Sequence, residues 1–178
     1  MAVVLMINLL SACSSVREAA EEKRAEFLER DGLAFEVRLT CDLGDAVSVY
    51  DMEIRPGEEY LLKVLSTGAL QGLTATVSGD GLKLEYQDVM FACEQPEDMV
   101  YAPVMVLPAA WAALKDGVIV GAERIEEGTA VTLRRFEGEE EYLFTFVFGA
   151  ESTPLRRVTC EKNGKMLAEC EILRTLQA

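Results

Sequence analysis

The chain has 178 residues, half of them apolar, with 31 acidic side chains against 17 Lys and Arg and no histidine. A formal net charge of −14 speaks against nucleic acid, whose phosphates need a basic face, and against electrostatic docking onto anionic lipid. The lack of histidine removes the Ser-His-Asp and Cys-His nucleophile systems, histidine zinc sites and the HExxH motif together.

The first stretch, Met1 to Ala12, carries no charge and is shorter than the roughly 20 apolar residues needed to span a bilayer. It reads as the apolar segment of an export signal. Its end, Leu10-Ser11-Ala12-Cys13, resembles a lipobox: a branched residue, two small ones that fit beside a scissile bond, and a cysteine that takes a diacylglyceryl group. The resemblance makes Cys13 the lipidated N-terminus of a mature bacterial lipoprotein, carrying acyl chains such as palmitate. Two chains anchor stably where one holds only marginally. That anchor implies the extracytoplasmic face of the bacterial cell membrane. The alternative is a buried N-terminal strand or helix with an ordinary core cysteine; the abrupt switch to charged residues after Cys13 favours processing. Signals ordinarily begin with Lys or Arg, and Met1 to Ala12 has neither, so translation is expected to start upstream.

Ser15-Val16-Arg17-Glu18 has the form of a capping box and opens a helix predicted to run to about Asp31, stopped by Gly32. Val16, Ala20, Phe27 and Leu28 make a thin apolar stripe, so the helix is either a solvated spacer or docks through its end. From Leu33 the period becomes two: "LAFEVRLTC" places Leu33, Phe35, Val37, Leu39 and Cys41 on one face. "DAVSVYDMEI", "EYLLKVL", "GLTATV" and "LKLEYQDVMF" follow as further strands, separated by Gly, Asp and Pro turns. A second helix is predicted from about Leu107 to Lys115, with Pro108 in its first turn and Gly117 ending it. "VIVGAERIE", "TAVTLRRF", "YLFTFVF", "PLRRVTC" and "KMLAECEILRTL" complete the set. Nine or ten antiparallel strands and two helices make an α+β domain, and a sheet of that width curls into a concave apolar face that the helices must cover.

Four cysteines follow Cys13, and none forms a CxxC pair, so metal and redox sites find no support. A three-residue loop, Lys162 to Gly164, would place Cys160 opposite Met166 and Cys170 four residues further along, beyond disulfide reach. Cys41 with Cys93 remains open as a pair.

With these elements in order, the chain resembles the outer-membrane lipoprotein carrier proteins and their relatives, the LolA-like half-barrels. "YDMEIRPGEEYLLKVL" resembles the family's strand, Arg-Pro turn and next strand; "GLTATVSGDGLKLEYQ" its following hairpin; "ESTPLRRVTCEKNGKMLAECEI" its closing hairpin. The likeness divides the chain into a signal peptide at 1–12, a lipidated cysteine and helix at 13–32, and a half-barrel at 33–178. It implies a hydrophobic hollow that holds acyl chains or contacts another envelope protein, under a helical lid. In the carrier, the arginine of the Arg-Pro turn holds that lid shut by bonding helix backbone; the matching residue is Arg55. The carrier is soluble, so a Cys13-anchored chain looks more like the receptor-type, mycobacterial glycolipid-binding or spore-germination lipoproteins of the fold. The carrier's proline after the first strand pair is also missing from "KVLSTGAL".

The candidate cavity residues are Phe35, Val37, Phe144, Phe146, Phe148 and Trp111, all of which would serve equally as sealed core. No cofactor is implied, and no nucleophile motif or phosphate loop is present. The expected function is therefore a non-enzymatic, membrane-anchored module that binds a lipid or acyl chain, or else a scaffold for an envelope protein. A carboxylate-dependent hydrolase is the remaining reading, resting only on the abundance of Asp and Glu.

Overall fold

A computed structural model of the chain describes residues 16–30, 32–42, 46–79, 81–94, 103–149 and 154–177. The expected signal peptide, Cys13 and the capping Ser15 lie outside them. Helix α1 spans 16–28. Six strands follow: β1 Leu33–Asp42, β2 Val47–Arg55, β3 Tyr60–Val64, β4 Thr74–Ser78, β5 Gly81–Tyr86 and β6 Val89–Cys93. After helix α2, Pro103–Asp116, come β7 Val118–Ile125, β8 Gly128–Glu137, β9 Glu140–Phe148, β10 Leu155–Lys162 and β11 Lys165–Gln177. All eleven strands form one antiparallel sheet in the order β6-β5-β4-β3-β2-β1-β11-β10-β9-β8-β7, curved but not closed, so the α+β half-barrel expected from the strand pattern is what the chain forms.

The topology is two meanders joined at their seam. The first strand pairs with the last, Phe35 opposite Thr175 and Cys41 opposite Ala168, with a bulge at Glu36 and Val37. Alternation then sends Phe35, Val37, Leu39 and Cys41 of β1 to the concave face, where they are fully buried beside Ala168 and Cys170 of β11. The chain leaves the sheet at one edge, β6, and re-enters at the other, β7. Helix α2 makes that crossing and lies against β4, β8 and β10, on both sides of the seam.

Three local expectations are corrected. "LKLEYQDVMF" is two strands, because Gln87 adopts φ 53° and turns the chain at Gln87-Asp88. No Gly or Asn marks that turn, so the residue types concealed it. Helix α2 starts at Pro103 rather than near Leu107, which places Pro108 inside the helix without an N–H to donate. Met105 to Trp111, Ala113 and Leu114 are all buried, so no polar face marked where the helix begins. In the closing hairpin both Asn163 (φ 53°) and Gly164 (φ 73°) are left-handed, giving a two-residue loop between Lys162 and Lys165. With a bulge at Cys160 and Glu161, Cys160 faces Ala168 and Cys170 faces Val158, so the two thiols are diagonal neighbours. Cys41, Cys93, Cys160 and Cys170 are all free. Burial raises the thiol of Cys41 to about 11 and that of Cys160 to about 12, which keeps both protonated and unreactive.

Two glycines separate strain from collision. Gly128 opens β8 at φ +147°, and a Cβ there would lie 1.9 Å from the Phe148 carbonyl oxygen, whereas Gly164 has φ +73° and open space around it. Gly164→Ala should cost about 1–2 kcal/mol, the left-handed penalty alone. Gly128→Ala should cost clearly more, since backbone must also move. Urea unfolding of both variants checks the order; equal losses would mean that the close approach to Phe148 is not a constraint.

Candidate functional site

Trp111, on the face of α2 turned toward the sheet, is the centre of an aromatic cluster. Its ring lies 5.5 Å from Phe27 of α1, 6.0 Å from Phe35 of β1, 5.9 Å from Tyr60 of β3 and 6.5 Å from Phe146 of β9. Phe148 stacks on Phe146 at 6.1 Å and meets Phe27 at 5.5 Å. Strand alternation explains the set, because Phe144, Phe146 and Phe148 share one face of β9 and Phe35 and Val37 are on the corresponding face of β1. All six candidate cavity residues are buried. Four of them, Phe35, Phe146, Phe148 and Trp111, meet directly; Phe144 stands further along β9 beside Tyr142, and Val37 follows Phe35 along β1. Sequence reasoning missed Tyr60, although its place at the head of "YLLKV" after the Arg-Pro turn puts it on the buried face with Leu62 and Val64.

Tyr60 brings a polar atom into this apolar interior. Its hydroxyl is buried and has no hydrogen-bond partner among the described residues. Burial, with a smaller contribution from Cys170, holds the phenol well above its ordinary pKa. An orphaned buried hydroxyl costs about 1–3 kcal/mol, so a partner delivered to this atom would be bound with that gain.

The two helices are tied by one guanidinium. Arg24 of α1 donates from Nε to the Leu114 carbonyl (2.7 Å), from one terminal nitrogen to the Gly117 carbonyl (3.1 Å) and from the other to the Lys115 carbonyl. The last carbonyls of a helix have no partner within it, and the planar guanidinium fork reaches several at once. On the solvent side of α1, Glu26 accepts from Lys23 at 2.6 Å and from Arg30 at 2.8 Å, bonds that lower its pKa, Lys23 contributing most.

A groove of about 300 Å³ opens where α1 ends. Phe27, Leu28, Leu33, Pro56 and Trp111 line it, and Arg30 and Lys115 stand at its rim. A larger hollow of about 430 Å³ lies on the opposite, convex face among Arg38, Arg157, Glu169 and Glu171. Its lining is charged except for Thr40 and Ile172, and charges neutralise one another along the strands, as in the Arg157–Glu169 pair at 3.7 Å. The apolar groove is therefore the candidate site. Among the described residues no helix is long and apolar enough to cross a membrane.

No family model matches the chain, and no curated protein matches it. Solved structures do. An uncharacterized conserved protein from Thermus thermophilus aligns over 90% of this chain and 88% of its own, with a TM-score of 0.52 and 13% identity. A putative outer membrane lipoprotein-sorting protein domain from Vibrio parahaemolyticus aligns over 92% of both chains, with a TM-score of 0.50 and 10% identity. The fold is a LolA-like half-barrel.

In this half-barrel the helix-backbone bonds that the family likeness assigned to Arg55 are made by Arg24. Arg55 sits at the end of β2, 58% exposed, and pairs with Glu53 at 2.8 Å. The Arg-Pro turn instead contributes Pro56 and Gly57 to the groove wall. A basic residue within an otherwise charged helix gave no signal that its side chain would be half-buried against another helix.

Replacing Arg24 by Met should cost about 2–3 kcal/mol, since bonds to a charged donor are worth about 1.5–3 kcal/mol each and do not add. Amides in the last turn of α2 should exchange hydrogen at least tenfold faster by mass spectrometry. Arg55→Ala, which removes an exposed pair worth at most about 1 kcal/mol, should leave those amides unchanged. The opposite ranking would return the clasp to Arg55.

Proposed function

We propose that the chain is an exported, lipid-anchored protein of the bacterial cell envelope whose half-barrel binds an apolar ligand, an acyl chain or lipid, beneath the α1–α2 lid. The observation that carries this reading is the groove that ends on Trp111, the side chain on which the aromatic floor and the lid converge. Movement of that one ring would join the groove to the interior, where the unpartnered Tyr60 hydroxyl belongs to a ring 5.9 Å from it. A largely apolar pocket with few polar groups is the common form of a small-molecule site. The Vibrio relative's designation as a lipoprotein-sorting domain is consistent with such a ligand. The anchor rests on the lipobox at Leu10 to Cys13 and sets the location, the extracytoplasmic face of the membrane. Binding alone accounts for the site, with no catalytic step.

Two measurements test this. Native mass spectrometry of the chain from Ser14 onward should show an extra mass that organic extraction removes, and the full-length protein should incorporate radiolabelled palmitate whereas Cys13→Ser should not. A bare protein that still binds no added fatty acid would sink the ligand; equal labelling of both forms would sink the anchor.

A second reading, a scaffold for another envelope protein, is favoured by one feature. Strand β6 is an open edge in which Val89, Met90 and Phe91 are 69, 63 and 57% exposed, with no charge in the strand. Natural edges are usually blunted by Lys or Pro, and an unblunted one is suited to receive an extended strand from a partner. Replacing Met90 by Lys should abolish crosslinking to such a partner while sparing acyl-chain binding; loss of both would count against separate surfaces.

A further inference from the structure

The groove has a chemical bias that its apolar floor does not explain. We infer that it selects single-chain amphiphiles with an anionic head, Lys115 holding the head and the Trp111 end of the groove holding the chain. The inference rests on the half-barrel being a binder of apolar ligands and names the class of ligand.

Three observations carry it. In a chain of net charge −14, none of the described residues lining this groove is acidic, while two are basic. Those two cations are not equivalent. Arg30 is held 2.8 Å from Glu26, so its charge is already offset, whereas Lys115 is exposed and makes no ion pair among the described residues. Finally, Arg24 bonds the Lys115 carbonyl, which fixes the backbone at the groove mouth while the four-carbon side chain stays free to follow a head group. Size sets the number of chains. About 300 Å³ is the lower limit of ordinary ligand sites, so Phe27, Leu28, Leu33 and Pro56 flank room for one acyl chain rather than several.

The single tryptophan of the chain makes the test direct, since Trp111 lies at the groove floor. Its emission would be titrated with laurate, dodecyl phosphate, dodecanol and dodecyltrimethylammonium, each below its micelle concentration. Laurate and dodecyl phosphate should bind about three- to fivefold tighter than dodecanol, the range expected of an exposed ion pair; whichever of the two is tighter identifies the head as carboxylate or phosphate. Lys115→Met should bring laurate to the affinity of dodecanol, and Lys115→Glu should make dodecyltrimethylammonium the tightest of the four. Equal binding of laurate and dodecanol by the unmodified protein, or a laurate affinity unchanged in Lys115→Glu, overturns the inference and leaves the apolar-ligand reading standing. No saturable response to any of the four overturns both.

Discussion

Everything in this molecule depends on the pairing of its first strand with its last. Neither meander is broad enough to enclose a hollow, but the ladder from Leu33 to Cys41 against β11 makes them one eleven-stranded sheet. Strand twist accumulates across that width, so the sheet curls, and alternation along β1, β9, β10 and β11 puts the large apolar side chains on its concave side. The same seam decides where the cover comes from. Because the chain exits at one edge and must re-enter at the other, the connecting segment has to cross the hollow, and the segment that crosses is α2. The lid is a consequence of connectivity before it is a matter of affinity.

What holds that lid is divided between apolar contact and one polar contact. Trp111 packs on rings from α1, β1, β3 and β9, a large non-directional contribution. Arg24 adds direction. Two of its three bonds satisfy carbonyls that α2 would otherwise leave orphaned, the third reaches Gly117 just beyond the helix, and together they set the register of α1 against α2. One side chain therefore caps one helix and docks the other. The interior it closes is filled by aromatic and aliphatic side chains, with the Tyr60 hydroxyl as its unpartnered polar atom among the described residues.

The strand pattern was readable because period-two alternation is a local property. "LAFEVRLTC" and "YLFTFVF" show their buried faces without any knowledge of their neighbours, and both lie where alternation put them. Readability failed wherever alternation or residue type stopped carrying information. The Gln87-Asp88 turn has no glycine, α2 is buried nearly all round and so shows no amphipathic face, and Asn163 joins Gly164 in the left-handed region to shorten a loop. That last error shifted a register by enough to place Cys170 four residues from Cys160 rather than diagonally beside it.

The amino-acid sequence by itself determined the class of the protein: an acidic, histidine-free chain of alternating strands with two helices, one of those strands rich in aromatic residues on its inward face, and a cysteine preceded by an uncharged, largely apolar stretch. Those are properties of composition and short-range order, which a linear reading sees in full. Tertiary structure alone decided which residues form the site. Phe27, Tyr60 and Trp111 are remote in sequence and meet only because β1 pairs with β11 and α2 crosses the hollow. Arg24 reaches Leu114 across 90 residues, and Lys115 stands at a groove whose other wall is the β2–β3 turn. Long-range contact is set by sheet topology and by which unsatisfied carbonyls a guanidinium can reach, and neither is encoded in the spacing of neighbouring residues.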